Sequence, residues 1–139
     1  MRNRLPYLLC LLFACVVAAP AYALLPIQHW QTKTGARVYF VESRGLPMLD
    51  VSVDFPAGSA FDTREKSGLA ALALNLLKLG AGGLSEDEIA RRMADTGAQL
   101  GGRFDSDRAG MSLRTLTSAE ELKQALDVFS RVLQRPEFP

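Results

Sequence analysis

The sequence predicts an α+β domain built on an antiparallel or mixed sheet. Two observations lead there. Apolar residues recur every second position in some segments and at helical spacing in others. The segments are also grouped, in the order βββααββα, whereas a parallel α/β sheet would alternate strand and helix.

Taken in order, Ile27 to Gln31 reads as a short strand. Thr32-Lys33-Thr34-Gly35 reads as a turn in which Gly35 can take positive φ. Val38 to Val41 is an unbroken β-prone run, expected to be a buried strand, and Arg44-Gly45-Leu46-Pro47 breaks it. Leu49, Val51, Val53 and Phe55 alternate with Asp50, Ser52 and Asp54, the pattern of a strand with one wet face. Pro56-Ala57-Gly58-Ser59 ends that strand. From Leu69 to Leu79 only Asn75 and Lys78 are polar, which predicts a helix buried on nearly every side. The glycine-rich stretch from Gly80 to Gly83 stops it.

Ser85 and Glu88 make a capping box ahead of a helix carrying Ile89, Ala90, Met93 and Ala94. Gly97 supplies its left-handed stop. Gln99 to Asp105 and Gly110 to Leu116 read as a hairpin turning at Ser106-Asp107. Ser118 and Glu121 make a second capping box. Leu122, Ala125, Leu126, Phe129, Val132 and Leu133 form the apolar stripe of a third helix, ended by Pro136. Pro136-Glu137-Phe138-Pro139 follows that helix directly, so the chain is expected to be incomplete at its C-terminus, a fragment of something longer.

Residues 1–23 are read apart from this domain, which runs from 24 to 139. Arg2 and Arg4 precede an apolar run from Leu5 to Ala19, then Pro20 and Ala21-Tyr22-Ala23. Basic start, apolar middle, helix breaker and A-x-A site are the parts of a secretory signal peptide, with cleavage expected after Ala23. The run is short for a membrane span, so no integral span is expected after cleavage. Leu12-Phe13-Ala14-Cys15 loosely resembles a lipoprotein site, but Phe13 suits it poorly and apolar sequence follows Cys15. Cys10 and Cys15 both fall within the segment, so the mature domain has no disulfide or cysteine nucleophile. That suits a secreted protein of a bacterial periplasm.

Charge excludes some partners. Sixteen Lys and Arg stand against fifteen Asp and Glu, which offers no electrostatic case for nucleic acid. The single histidine, His29, lies beside Trp30 in a strand and reads as a surface residue. H-E-x-x-H, H-x-x-E-H and G-x-S-x-G are absent. Gly82-Gly83 and Gly101-Gly102 do not match a phosphate loop. Asp50, Asp54, Asp105 and Asp107 read as solvated carboxylates on turns and a wet strand face, and Ser59 and Ser67 lack a histidine to act as base.

Seven short stretches, in order, change the reading. They are Leu46-Pro47-Met48-Leu49-Asp50-Val51, Phe55-Pro56-Ala57-Gly58-Ser59, Lys66-Ser67-Gly68-Leu69-Ala70, Leu84-Ser85-Glu86-Asp87-Glu88-Ile89, Thr96-Gly97-Ala98-Gln99-Leu100, Ser112-Leu113-Arg114-Thr115-Leu116 and Pro136-Glu137-Phe138-Pro139. Together they resemble the N-terminal domain of the M16 metallopeptidases, the insulinase, pitrilysin and mitochondrial-processing-peptidase family.

The resemblance implies that an H-x-x-E-H zinc motif should follow Gly68-Leu69-Ala70. Two histidines one helical turn apart would bind zinc, and the glutamate would activate its water. This sequence instead reads Ala71-Leu72-Ala73-Leu74-Asn75. Ala71 and Asn75 stand at the histidine positions and Leu74 at the glutamate. Alanine and leucine offer zinc no lone pair, and an asparagine amide is a feeble ligand. The third ligand of active relatives, a glutamate, would fall beyond Pro139. No cofactor is therefore expected in this chain, zinc being held by active relatives or a partner.

The resemblance also implies a partner. Family members enclose a chamber between two halves, and in several heterodimers one subunit has lost its zinc. A zinc-bearing M16 subunit is the expected partner, and peptide or unfolded protein the expected substrate. In active relatives the substrate adds as a strand beside the sheet edge, at a position matching Leu100-Gly101-Gly102-Arg103-Phe104. Strand addition uses main-chain groups, so it survives the loss of side chains. Two other readings stay open: a zinc-dependent endopeptidase in a longer chain, or a binding and assembly protein of the same fold.

Overall fold

A computed structural model describes residues 25–139. The signal-peptide reading, with Cys10, Cys15 and the cleavage site after Ala23, lies outside the described residues. The chain divides into two units after Arg44.

In the first unit, β1 (Ile27–Gln31) pairs antiparallel with β2 (Arg37–Val41), Ile27 opposite Val41 and Gln31 opposite Arg37. The turn is as expected, with Gly35 at φ 90° and its N–H donating to the Thr32 carbonyl at 3.0 Å. The expected burial of Val38 to Val41 is not found. Val38 is half-buried, Tyr39 is 66% exposed, and Phe40 and Val41 are exposed. A two-stranded ribbon has no second layer of its own to cover either face.

The second unit carries the sheet. β3 (Met48–Phe55), β6 (Gln99–Phe104) and β7 (Ala109–Leu116) lie in the order β3-β7-β6, antiparallel throughout. The alternation in β3 has its expected sense from Leu49 to Asp54, with Leu49, Val51 and Val53 half-buried and Asp50, Ser52 and Asp54 exposed, but Phe55, expected on the same covered face, is 47% exposed at the strand end. Three helices complete the unit: α1 (Leu69–Leu76), α2 (Glu86–Asp95) and α3 (Ala119–Gln134). The core lies between the sheet and α2 and α3, where Met111, Leu113, Ile89, Met93, Val128 and Val132 are buried. The α+β expectation and its element order are met. The additions are two 3-10 turns, Ser59–Phe61 and Arg64–Lys66, and a small hairpin.

That hairpin replaces a simple helix stop. β4 (Gly80–Ala81) pairs with β5 (Leu84–Ser85). The chain end clasps it. Gly82 N–H donates to the Arg135 carbonyl at 2.9 Å, Glu137 N–H to the Gly80 carbonyl at 2.9 Å, and Gly83 N–H to the Glu137 carboxylate at 2.7 Å. These glycine N–H groups thereby find the partners that buried or turning backbone requires.

The first capping box is half realised and the second is not formed. The Ser85 hydroxyl accepts from Glu88 N–H at 3.3 Å, but the Glu88 carboxylate turns to Arg92 at 2.7 Å instead of returning to Ser85. That guanidinium holds Glu88 below its ordinary carboxylate range. Ser118 caps no N–H; its hydroxyl donates to the Glu121 carboxylate. An arginine one turn along, or a hydroxyl donor, competes well for a carboxylate at an exposed helix start. Gly97 is the left-handed stop expected, at φ 63°. In α3 the buried residues are Ala125, Val128, Phe129 and Val132, so Val128 joins the stripe and Leu126 turns outward. The spacing i, i+3, i+4, i+7 selects those four.

Thr115, 1% exposed, has a hydroxyl with no hydrogen-bond partner among the described residues. Thr115→Val should therefore raise stability by about 1 kcal/mol, because an unpaired buried hydroxyl is exchanged for a methyl of similar shape. Urea unfolding checks it; a lower midpoint would show that the hydroxyl is satisfied in solution.

Candidate functional site

The helix α1 begins where the chain turns on Gly68, at φ 89°. Its first turn is capped from six residues upstream. The Asp62 carboxylate accepts from Gly68 N–H at 2.8 Å and from Ala70 N–H at 3.1 Å. A carboxylate here also suits the positive end of the helix dipole. Asp62 was not singled out from sequence, since its cap is reached through a loop and not at the usual spacing.

The expectation that this helix is buried on nearly every side is corrected. It ends at Leu76, no residue of it is fully buried, and Leu69 and Leu72 are 51% and 55% exposed. One side packs inward, where Ala70, Ala73, Leu74 and Leu77 line an apolar cavity of about 250 Å³ against Phe55 and Met111. Leu69 and Leu72 face away from that contact. Uniform apolarity shows that a helix can be covered all round, whereas coverage depends on what packs beside it.

Ala71, Leu74 and Asn75 share the side of α1 that faces β6. With Lys78, Gly102, Phe104 and Met111 they line a second recess, of about 260 Å³. The Asn75 side-chain N–H donates back to the Ala71 carbonyl at 3.0 Å, so its amide is engaged within its own helix. These groups do not fit zinc: one side chain has no donor atom, one is a hydrocarbon, and the third is a bonded amide. Among the described residues, no three His, Cys, Asp or Glu side chains gather to hold a metal ion.

The other half of the site is β6 itself. Among the described residues it is an end strand of its sheet, with β7 on one side only. Two bonds establish which of its main-chain groups are free. Asp105 N–H donates to the Arg108 carbonyl at 2.9 Å, and Thr117 N–H donates to the Pro47 carbonyl at 2.9 Å. Bonded and non-bonded pairs alternate in an antiparallel ladder. From the first bond, Arg103 pairs with Gly110 and Gly101 with Ser112 through hydrogen bonds. From the second, the odd residues of β7 bond β3, which leaves its even residues for β6. Both routes agree, so Leu100, Gly102 and Phe104 direct their N–H and C=O groups away from β7, to the open edge.

The two glycines then differ. Gly101 lies in the ladder, and a Cβ on it would meet the Ser112 hydroxyl oxygen at 2.8 Å. Gly102 lies on the open side, and a Cβ on it would meet Leu74 Cδ2 at an ordinary 3.5 Å. Gly102 is thus the point at which the open edge of β6 meets Leu74 of α1. Arg103 points to the opposite face, 3.9 Å from Asp54.

The remaining candidates have structural places. His29 stacks on Tyr39 across β1 and β2, ring centroids 6.3 Å apart. Asp105 accepts from the Asp107 and Arg108 N–H groups at 2.8 and 2.7 Å, which forms the β6–β7 turn and lowers its pKa. Asp50 takes a two-pronged bond from Arg114 at 2.6 and 3.0 Å, which holds it below the usual carboxylate range. Lys78 and Met111, which line the recess, were not singled out from sequence; only the fold brings them beside Gly102.

Residues 37–139 match the family model described as insulinase, peptidase family M16. A crystal structure of a peptidase M16 inactive domain from Pseudomonas fluorescens is similar at 38% identity and TM-score 0.79, over 83% of this chain and 28% of that one. A protease from Helicobacter pylori shares the fold at 19% identity and TM-score 0.72, over 84% of this chain and 27% of that one. The chain thus spans under a third of either protein's length. Nothing among curated proteins matches it.

Proposed function

The chain belongs to the insulinase family of peptidases, family M16, and from that premise we propose that it is a non-catalytic member that captures extended peptide along β6 without cleaving it. One observation carries the reading. The altered motif positions Ala71, Leu74 and Asn75 sit beside an unpaired strand edge whose outward donors and acceptors are intact. Zinc chemistry needs particular side chains, while strand addition needs only a backbone. The inactive-domain relative at 38% identity supports the same assignment.

In this reading the chain works beside a zinc-bearing M16 subunit, which supplies the hydrolysis, and is exported after cleavage behind Ala23. No helix among the described residues is long and apolar enough to cross a membrane. Intact mass of the secreted form should place its first residue at Leu24; a diacylated Cys15 would replace that reading with a lipoprotein.

Purified chain should bind an unfolded peptide yet show neither stoichiometric zinc nor chelator-sensitive cleavage. The triple variant Ala71→His, Leu74→Glu, Asn75→His should still not cleave, because two ligands at one helical spacing leave the metal site unsupported. Elemental analysis and a quenched-fluorescence peptide assay decide both. One equivalent of tightly held zinc with cleavage in the unaltered chain would favour the endopeptidase reading.

A further inference from the structure

We propose that the recess between α1 and β6 selects an acidic residue in the captured peptide, taking its aliphatic stem against Leu74 and Met111 and its carboxylate at Lys78. The inference rests on strand addition at β6 and adds to it a preference by charge.

Residues directly opposite one another in a sheet place their side chains on the same face. Gly102 lies opposite Met111, and a Cβ built on Gly102 points at Leu74. A peptide residue paired with Gly102 therefore sends its side chain to the α1 side, into the recess. Its neighbours in the peptide point to the other face, toward Arg103. Because Gly102 has no side chain, the space beside the incoming residue is open.

The recess has about 260 Å³, below the usual size of a small-molecule site and suited to one long side chain. Leu74, Met111, Ala71 and Phe104 give it apolar surface, and Asn75 and Lys78 give it polar surface of at least equal extent. Lys78 lies on its wall, exposed and without an ion-pair partner among the described residues. No Asp or Glu lines it. The Leu74 and Met111 side chains beside Gly102, with the Lys78 cation on the wall and the Asn75 N–H already bonded to Ala71, complement a side chain that is hydrocarbon near the backbone and anionic at its tip. Glutamate has that form; glutamine keeps the shape without the charge, and lysine opposes it.

The test uses the full chain and three fluorescein-labelled octapeptides of alternating Ser and Thr, with one central Glu, Gln or Lys. Anisotropy should show Glu bound about threefold more tightly than Gln, the range of a partly exposed ion pair, with Lys weakest. Added salt should narrow the differences. Lys78→Met should bring Glu down to Gln, and Lys78→Glu should invert the order of Glu and Lys. Gly102→Leu keeps the edge N–H but fills the recess, so it should erase selectivity among the three.

The order Glu, Gln, Lys unchanged in Lys78→Glu would overturn the charge preference. If Gly102→Pro still abolished capture in that case, the edge reading would stand alone. Full capture by a folded Gly102→Pro protein, or no capture of any peptide by the unaltered chain, would overturn both.

Discussion

Gly102→Pro should leave a folded protein that has lost peptide capture by at least about tenfold, the cost of one unmade main-chain hydrogen bond with its partner left unpaired. The argument runs through the ladder. Gly102 N–H points away from β7, so a proline there removes no bond that holds the sheet together. Proline is tolerated on edge strands for that reason. A Cβ at this position has ordinary contact with Leu74. What disappears is the central donor of the open edge, and the ring obstructs an incoming strand. Gly101→Pro, one residue earlier, should do the reverse. It breaks a bond to Ser112, and its Cβ falls against the Ser112 hydroxyl, so the hairpin itself should melt. Arg103→Ala should change capture little, because the contact runs through main chain. Circular dichroism and peptide anisotropy on the three variants separate the effects. A folded Gly102→Pro protein that binds as before would reduce this domain to a scaffold.

Gly58→Ala should cost about 3 kcal/mol, at the severe end of overpacking, and lower the melting temperature by roughly 10–20 °C. Gly58 packs under the β6–β7 turn. Its missing Cβ would overlap the Ser106 carbonyl and lie 2.5 Å from Arg108 N, and all of these are backbone atoms. Nothing there can rotate aside. The two segments would separate and forfeit the bonds from Ser59 N–H to the Asp105 carbonyl at 3.2 Å and from Ala60 N–H to the Ser106 carbonyl at 2.8 Å. Because this clamp holds the end of β6, peptide capture should fall with stability. Gly45→Ala is the control, since a Cβ there meets nothing within 4 Å. A melt unchanged in Gly58→Ala would mean that the clamp is looser than drawn.

Much of the second unit was legible because its signals are local. The alternation of Leu49, Val51 and Val53 with Asp50, Ser52 and Asp54 reports a half-buried strand through the geometry of the pleat. Gly97 and Gly35 mark left-handed turns because an L side chain is strained there. Sequence and structure part where two partners compete or where coverage comes from elsewhere. Glu88 could return to Ser85 or turn to Arg92, and sequence spacing allows both. Val38 to Val41 is apolar enough to be buried, but burial requires a second layer.

The candidate site divides along the same line. By itself the sequence determined that positions 71, 74 and 75 cannot supply zinc ligands, because ligation is a property of the side chains present. It also marked Leu100 to Phe104 as a strand with two glycines. The family resemblance put that strand at a sheet edge, but only the tertiary structure decided that Gly102 faces outward while Gly101 is bonded inward, and that Lys78 and Met111 share a recess with Gly102. Strand order, ladder phase and the meeting of a helix with an edge are set by contacts between residues far apart in the chain. Local periodicity carries no record of them.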